Sequence, residues 1–289
     1  MPEYASPKIF TLVAETPGQT ALDLLASGTG LSRQRLKDAM NKGAVWWTQK
    51  SKTLRLRRAT KSLNKGCKIQ LFYDEQVLSR KPNAARLIHD AGRYSIWFKP
   101  HGMLSQGSQW GDHCSLLRWV EVNGQPRRES FLVHRLDADA AGLVLLAHDQ
   151  QSAARLSHLF QSREIRKCYQ AWVTGLLPLS DEEQCLDYPL DGKAAVTRIR
   201  PVETDAARPR TLLDIQIETG RKHQIRRHLA AFGHPIVGDR LYGKATAEPL
   251  QLLAYSLSFV CPFNHARLEV SLPAENRLAS PQEQLDQSA

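Results

Sequence analysis

The chain predicts an α+β fold in two unequal parts, on three observations. Segments with hydrophobic period two and period 3.6 interleave along the 289 residues, without the regular repeat of a barrel or a doubly wound parallel sheet. The basic charge is concentrated in one short window near the N-terminus. Hydrophobic residues make up 42% of the chain, enough for ordinary packed cores. No run approaches the ~18–20 unbroken apolar residues of a spanning helix. The expected division is a small basic module over residues 1–80 and a larger domain over 81–289.

Charge is the first property that bears on function. The chain carries a net +10, yet residues 31–81 alone hold 14 Lys and Arg against three acids, a net +11. A concentrated basic patch is the footprint of a polyanion, because neutralising phosphates releases counterions. A merely solvated basic face is the plainer reading of the same run. The five Cys are widely and irregularly spaced with no C-x-x-C, which argues against a disulfide framework or a zinc site and for a reducing cytoplasm. The N-terminus lacks a basic region followed by an apolar run, so no secretory signal and no membrane partner is expected.

In the small module, residues 18–30 read as a helix with Ala21, Leu22, Leu24 and Leu25 inward, closed by Gly28 and Gly30. Ser32 is placed to cap a second helix, 33–42, which carries Arg33 and Arg35 and ends at Gly43. Short strands follow at 44–47, 54–57 and 68–73, and 77–90 reads as a linker. The larger domain opens with a strand at 94–98. A helix is expected at 115–122, then a buried strand at 143–147. Asp149 can cap a helix with Ala153, Leu156, Leu159 and Phe160 on one stripe. Strand 164–173 puts Ile165, Lys167, Tyr169, Ala171 and Val173 on one face. Residues 178–187 read as an acidic loop. Strand 211–217 precedes a helix at 222–232, and strands at 252–260 and 268–272 end the domain.

Familiar ligand motifs fail their context tests. Gly28-Thr29-Gly30 begins like a dinucleotide fingerprint, but position 33 is Arg and no strand is expected before it. His223, His228 and His234 do not share one helix face, so packing and local bonding are preferred to a metal site.

Three segments remain. His134-Arg135-Leu136-Asp137 sets a carboxylate beside two basic residues just before an apolar strand, where it must be paired or its burial is costly. Lys167-Cys168-Tyr169 puts a phenol on the inner face of a strand. Residues 219–230 gather Arg221, Lys222, His223, Arg226 and Arg227 around a helix N-terminus, a setting that suits a phosphate backbone. Gly233-His234-Pro235-Ile236-Val237-Gly238-Asp239 and Tyr242-Gly243 follow. Taken singly, each has an ordinary structural explanation: an ion pair, a core tyrosine, a solvated basic helix.

Together with Lys99-Pro100-His101-Gly102, these segments resemble the RluA-type RNA pseudouridine synthases over roughly residues 94–272. The resemblance implies a mixed, mostly antiparallel sheet with flanking helices. It implies that Asp137 is the catalytic carboxylate, that Arg226 pairs with it with Ile225 packed nearby, and that Tyr169 stacks on the target base. Arg135 would enter the RNA stack where the uridine flips out, and His134, Arg221, Lys222 and His223 would lie against the RNA. Helix-helix-strand order and charge make the small module similar to the RNA-binding domain named after ribosomal small-subunit protein four, with Arg33 and Arg35 on its RNA face.

The implied reaction breaks the glycosidic bond of uridine, turns the base and rejoins it through carbon five. No cofactor and no metal is implied, since no electrons move and no group comes from outside. The RNA expected is that of the large ribosomal subunit. The alternatives are transfer RNA, or a non-catalytic RNA-binding or ribosome-assembly protein. A monomer is the expectation. One departure stands out: where the family usually has Thr-Ser before the glycine, this chain has Ala140-Ala141-Gly142, and the loss of two hydroxyls leaves open what fixes this loop.

Overall fold

The computed structural model describes residues 6–278. They form two compact units, one of residues up to Ala84 together with Gln106–Arg127, the other of Ala85–Ser105 and the chain from Arg128 onward.

The first unit begins with β1 (Lys8–Val13), α1 (Ala21–Thr29) and α2 (Arg33–Asn41). Then come β2 (Val45–Gln49), β3 (Lys52–Arg55), β4 (Lys68–Tyr73) and the short α3 (Glu75–Leu78). The strands make an antiparallel sheet in the order β1-β4-β2-β3. The helices start where the caps say they should. The side-chain oxygens of Thr20 and Ser32 accept from the N–H groups of Asp23 and Arg35, satisfying donors that a helix leaves free at its start. Leu25, Leu36, Met40, Val45, Ile69 and Leu71 are fully buried between helices and sheet. β1 is a strand the sequence pattern does not disclose. Phe10 and Leu12 pack on the core while Ile9 and Val13 are exposed, so apolar residues on both faces hide the period of two.

Residues 106–127 carry α4 (Leu116–Asn123) and pack on this first unit, although the expected boundary at residue 80 puts them in the larger domain. Buried Asp112 is the anchor: it accepts a hydrogen bond from Arg57 and lies 3.2 Å from Arg55 Nε. Trp46 donates its indole N–H to the Gln109 carbonyl at 3.0 Å, and Trp110 meets Phe72 edge-on at 5.6 Å. A carboxylate leaving water needs such partners, and they are supplied from 55 residues back along the chain. That separation is why sequence alone does not show it. The expected linker at 77–90 also contains structure, since it spans the end of α3 and β5 (Arg86–Asp90).

The second unit continues with β6 (Tyr94–Lys99), β7 (Phe131–Leu132), β8 (Ala141–Ala147), α5 (Gln150–Gln161) and β9 (Arg166–Thr174). β10 (Gln184–Leu186), β11 (Thr197–Asp205), β12 (Arg210–Ile217), α6 (Gln224–Ala231), β13 (Leu252–Val260) and β14 (Arg267–Ser271) complete it. The strands form one sheet in the order β10-β11-β12-β9-β13-β8-β6-β5, with β14 on β13 and β7 on β8. It is a mixed, mostly antiparallel sheet: among the described residues only β8 and β13 run parallel. Gly142 makes that junction possible. Its φ is +125°, and a Cβ there would sit 2.2 Å from the Ala254 carbonyl oxygen.

α6 covers one stretch of sheet, where Ile225 and Leu229 pack on Ala171, Ile199, Leu213 and Ile215. α5 covers another, with Leu156 and Leu159 against Leu143, Leu145 and Ile96. Each large aliphatic side chain so buried contributes roughly 1.5–3 kcal/mol. β11 is the longest strand the sequence pattern misses in this unit; β5 and β7 go unforeseen too, and β10 forms inside residues 178–187, expected as an acidic loop, because its three residues are too few to show a period. Pro201 lies inside β11, and the register to β12 slips between Pro201 and Glu203, so its alternation is broken where a sequence reader would look for it.

Candidate active site

Asp137 lies in the short loop between β7 and β8, at the parallel junction of the sheet. Main-chain bonds fix that loop. Ser105 bridges both polar groups of Leu136, accepting from its N–H at 3.0 Å and donating to its carbonyl at 2.7 Å. Gly102 N–H donates to the Ala138 carbonyl at 2.9 Å, and the His101 ring contacts the Asp139 carbonyl at 2.7 Å. Lys99, fully buried at the end of β6, is the centre of the arrangement. Its ammonium donates to the carbonyls of Ala140 at 2.6 Å, Met103 at 2.8 Å, Pro100 at 3.1 Å and Ala138 at 3.2 Å. Burial pushes its pKa down to about 7, against the carboxylates of Asp137 and Asp139, which favour its charge. The loop is therefore held by carbonyls, and Ala140 and Ala141 are both buried. Where the two hydroxyls are absent, bonds from Lys99 to the main chain hold the loop in place.

Three elements meet Asp137. β9 brings Tyr169, buried beside Ala140, whose phenol burial and the Asp137 charge hold above its ordinary pKa, so it stays protonated. α6 brings Arg226, whose Nη1 lies 3.5 Å from Asp137 Oδ2. The remaining face of the same guanidinium is gripped by Asp239: Nε donates to Oδ2 at 2.8 Å and Nη2 to Oδ1 at 2.7 Å. Burial opposes the charge on both partners, but the paired bonds and mutual attraction outweigh it, raising the Arg226 pKa and lowering that of Asp239. Asp239 also accepts the N–H groups of Leu241 and Tyr242 at 2.9 and 3.1 Å, so one carboxylate fixes the arginine and the turn beyond it. Gly238 permits that turn: at φ +78° its position leaves no room for a Cβ, which would lie 2.3 Å from the Pro249 carbonyl oxygen.

The third neighbour is His223, at the N-cap of α6. Its backbone is left-handed, φ +53°, and its side chain makes no capping bond. The ring points instead between two partners, with Nε2 3.9 Å from Asp137 Oδ1 and Nδ1 2.9 Å from the Tyr242 hydroxyl. Non-glycine residues rarely take this conformation, and when they do the surroundings impose it. The Tyr242 ring also lies 5.3 Å from the Arg226 guanidinium.

The other expected site residues separate. Arg135 is exposed and makes no hydrogen bond or ion pair among the described residues, and Lys222 is likewise exposed. Arg221 donates to the Ala194 carbonyl at 3.0 Å, and Ile225 is in the core under α6. Arg33 pairs with Asp23 at 2.7 Å and Arg35 with Glu75 at 3.5 Å, both on the surface of the first unit. His134 is placed otherwise than the RNA contact expected of it. Its Nε2 accepts the Leu145 N–H at 2.9 Å and its ring stacks on Phe160 at 4.4 Å. It fastens the loop to β8.

Burial and the nearby Lys167 push the His134 pKa down to about 3. The unfolded chain, with an imidazole near pH 6.5, takes up this proton first as pH falls. The associated stability is thus complete above pH 6.5 and lost between there and pH 3, at up to about 1.4 kcal/mol per pH unit. Urea unfolding at pH 7 and pH 4.5 checks this. His134→Gln, which has no proton to gain, is expected to lose less stability between the two pH values than the unsubstituted protein.

Sequence reasoning missed Asp239 and Tyr242 as parts of the site. The signal was the Gly-Asp pair at 238–239 and the Tyr-Gly pair at 242–243, noted for their spacing only.

The chain is similar to known RNA-modifying proteins. Residues 93–231 match the RNA pseudouridylate synthase family model. The tRNA pseudouridine synthase C of Vibrio cholerae is 31% identical over 207 residues, covering 60% of this chain and 84% of that protein. The ribosomal large subunit pseudouridine synthase D of Nitrosomonas europaea is 32% identical over 169 residues, 52% of this chain and 47% of that one. The solved structure of human RNA pseudouridylate synthase domain containing 1 shares the fold, with a TM-score of 0.56 at 19% identity, covering 72% of this chain and 97% of that one. The dual-specificity RNA pseudouridine synthase RluA of Vibrio parahaemolyticus is 32% identical over 199 residues, 61% of this chain and 78% of that one; on its identity and coverage and those of the Vibrio cholerae relative, the chain belongs to the RluA-type RNA pseudouridine synthases, isomerases that convert uridine to pseudouridine in RNA.

Proposed function

We propose that this enzyme isomerises specific uridines of large-subunit ribosomal RNA, in a reducing cytoplasm, with Asp137 as the group that acts on the sugar. The observation that carries the assignment of Asp137 is its pairing: it faces Arg226 at 3.5 Å, beside the buried Tyr169, on a loop whose carbonyls are fixed by Lys99. A target uridine leaves its stack at a cost of roughly a few kcal/mol, offset by protein contacts. Arg135, exposed two residues before Asp137, is the side chain that would fill the gap. Tyr169 offers its ring to the flipped base, and Arg226 orients the carboxylate.

A second reading, transfer RNA as substrate, is favoured by the similarity to a tRNA-modifying relative. Mapping pseudouridines in ribosomal and transfer RNA from a deletion strain decides between them. Missing sites in large-subunit RNA are the expected result. Loss only in transfer RNA would replace the first reading with the second, and loss in neither would overturn both.

The first unit is proposed as the RNA-binding module, of the ribosomal small-subunit protein four type. Support comes from its charge and from the succession α1, α2, β2. Removing residues 1–81 is a poor test, because Asp112, Gln109 and Trp110 would lose their partners in it. Lys37, Lys52 and Lys65 are exposed, and their joint replacement by Gln leaves the core intact. We expect weaker RNA binding and a salt dependence shallower by about 0.7–0.9 for each phosphate that is no longer neutralised. Filter binding across a salt series measures it; an unchanged slope would show that this face does not meet RNA.

A further inference from the structure

The isomerisation has a requirement that Asp137, Arg226 and Tyr169 do not meet among themselves. Once the new C1′–C5 bond exists, C5 of the base still holds its hydrogen. That C–H bond must break, its electron pair restoring the C5–C6 double bond, and the proton must leave. N1, released from the sugar, takes a proton from water, so protons balance and nothing is oxidised or reduced. At this stage the Asp137 carboxylate is free again, whatever it did to the sugar. A base seated over it blocks direct contact with bulk water, so a proton it collects needs another exit.

The groups around Asp137 narrow the choice. Arg226 keeps its charge and has no lone pair to offer. The Tyr169 phenol is buried and held protonated. Lys99 lies behind the Ala138 and Ala140 carbonyls, which occupy its ammonium. Asp139 is turned toward Arg240, at 3.5 Å, and Asp239 is saturated by Arg226. Among the described residues, His223 alone presents a ring nitrogen toward Asp137, at 3.9 Å from Oδ1, about 1 Å more than a hydrogen bond and within reach of a small rotation of the carboxylate. Burial, with Arg226 and Lys222 nearby, keeps the imidazole neutral against the pull of Asp137 and Asp239, so it has a lone pair to accept with. Its other nitrogen is 2.9 Å from the Tyr242 hydroxyl, and Tyr242 is 36% exposed.

We propose that His223 and Tyr242 form a two-residue proton path from the Asp137 carboxyl to solvent, which carries away the hydrogen that C5 gives up. Asp137 takes the proton from C5 and passes it from Oδ1 to His223 Nε2. The imidazole releases its Nδ1 proton to the Tyr242 oxygen, and the Tyr242 hydroxyl proton goes to water. The left-handed backbone at His223 and its missing cap bond are the structural cost of aiming the ring along this line. The inference rests on the proposed role of Asp137.

The test uses the full-length protein under single turnover, on large-subunit ribosomal and transfer RNA transcripts carrying uridine with either hydrogen or deuterium at C5. His223→Asn tolerates the left-handed backbone, and Tyr242→Phe removes one oxygen from a half-exposed ring, so both are expected to fold. Product formation should slow by roughly 100-fold in His223→Asn and about 10-fold in Tyr242→Phe, within the range for lost proton transfer. In both, deuterium at C5 should slow the reaction further, because loss of that hydrogen has become limiting, and imidazole should restore rate to His223→Asn. A fall in rate with no deuterium effect and no imidazole rescue would show that the two residues only support the fold, and overturn the path. Wild-type rates in both variants would overturn it as well. Failure of the underlying reading looks different: the unsubstituted enzyme would then form no pseudouridine on either RNA, or Asp137→Asn would form it normally.

Discussion

Asp137→Asn is expected to abolish pseudouridine formation while leaving RNA binding within about threefold. An amide of the same size keeps the packing of the loop but supplies neither a nucleophile nor a base, and such losses run to roughly 10⁴-fold or more. The fold has little stake in this carboxylate. Arg226 retains its two bonds to Asp239, and the loop retains its carbonyl contacts to Lys99, so the melting temperature should barely change. Release of tritium from RNA labelled at C5 of uridine reads the rate directly. Substantial release by the Asn variant, with wild-type binding, would remove Asp137 from the centre of the reaction.

The adjacent arginines of α6 give the second large effect, and they should divide chemistry from docking. Successive helical residues point about 100° apart. Arg226 accordingly reaches Asp137 and Asp239, while Arg227 turns away to Asp191, at 2.9 and 3.0 Å, at the surface. Arg226→Ala removes the cation facing Asp137 and also strands the fully buried Asp239, a loss of about 3–5 kcal/mol for a broken buried pair. The rate should collapse, and the protein should melt earlier. Arg226→Lys separates these effects: a lysine can neutralise Asp239 but cannot make the two-pronged bond and still reach Asp137. It should recover much of the stability and little of the rate. Arg227→Ala breaks an exposed pair, which contributes little to stability. It should weaken RNA binding, and saturating RNA should restore most of its rate. Single-turnover rates at saturation check the assignment, and a larger loss in Arg227→Ala than in Arg226→Ala would exchange the two roles.

Local signals made much of this legible beforehand. Ser32 and Asp149 cap the helices they were expected to cap, because capping needs only a side chain and an N–H three residues on. Arg226 reaches Asp137 as the motif resemblance implied. What stayed hidden depended on partners remote in sequence or on the main chain. Asp239 is 13 residues from Arg226, and its role exists only once a turn brings it back. What fixes the Asp137 loop is invisible in sequence too: the missing hydroxyls are conspicuous, whereas carbonyls bonded to Lys99 leave no mark on composition. His134 was read by its neighbour Asp137, though the backbone N–H of Leu145 decides its place.

The return of residues 106–127 to the first unit means that the main chain passes between the two units three times, after residues 84, 105 and 127. A module appended by one linker can be cut off, or traded for another, at one junction. Here a protease cleaving at 84–85 would yield two bands on a denaturing gel and one species on a native column, the fragment held by Asp112 and by the packing of Trp110 on Phe72. Exchange of this module between proteins would likewise need three junctions to match at once, so its inheritance is tied to that of the catalytic unit it accompanies.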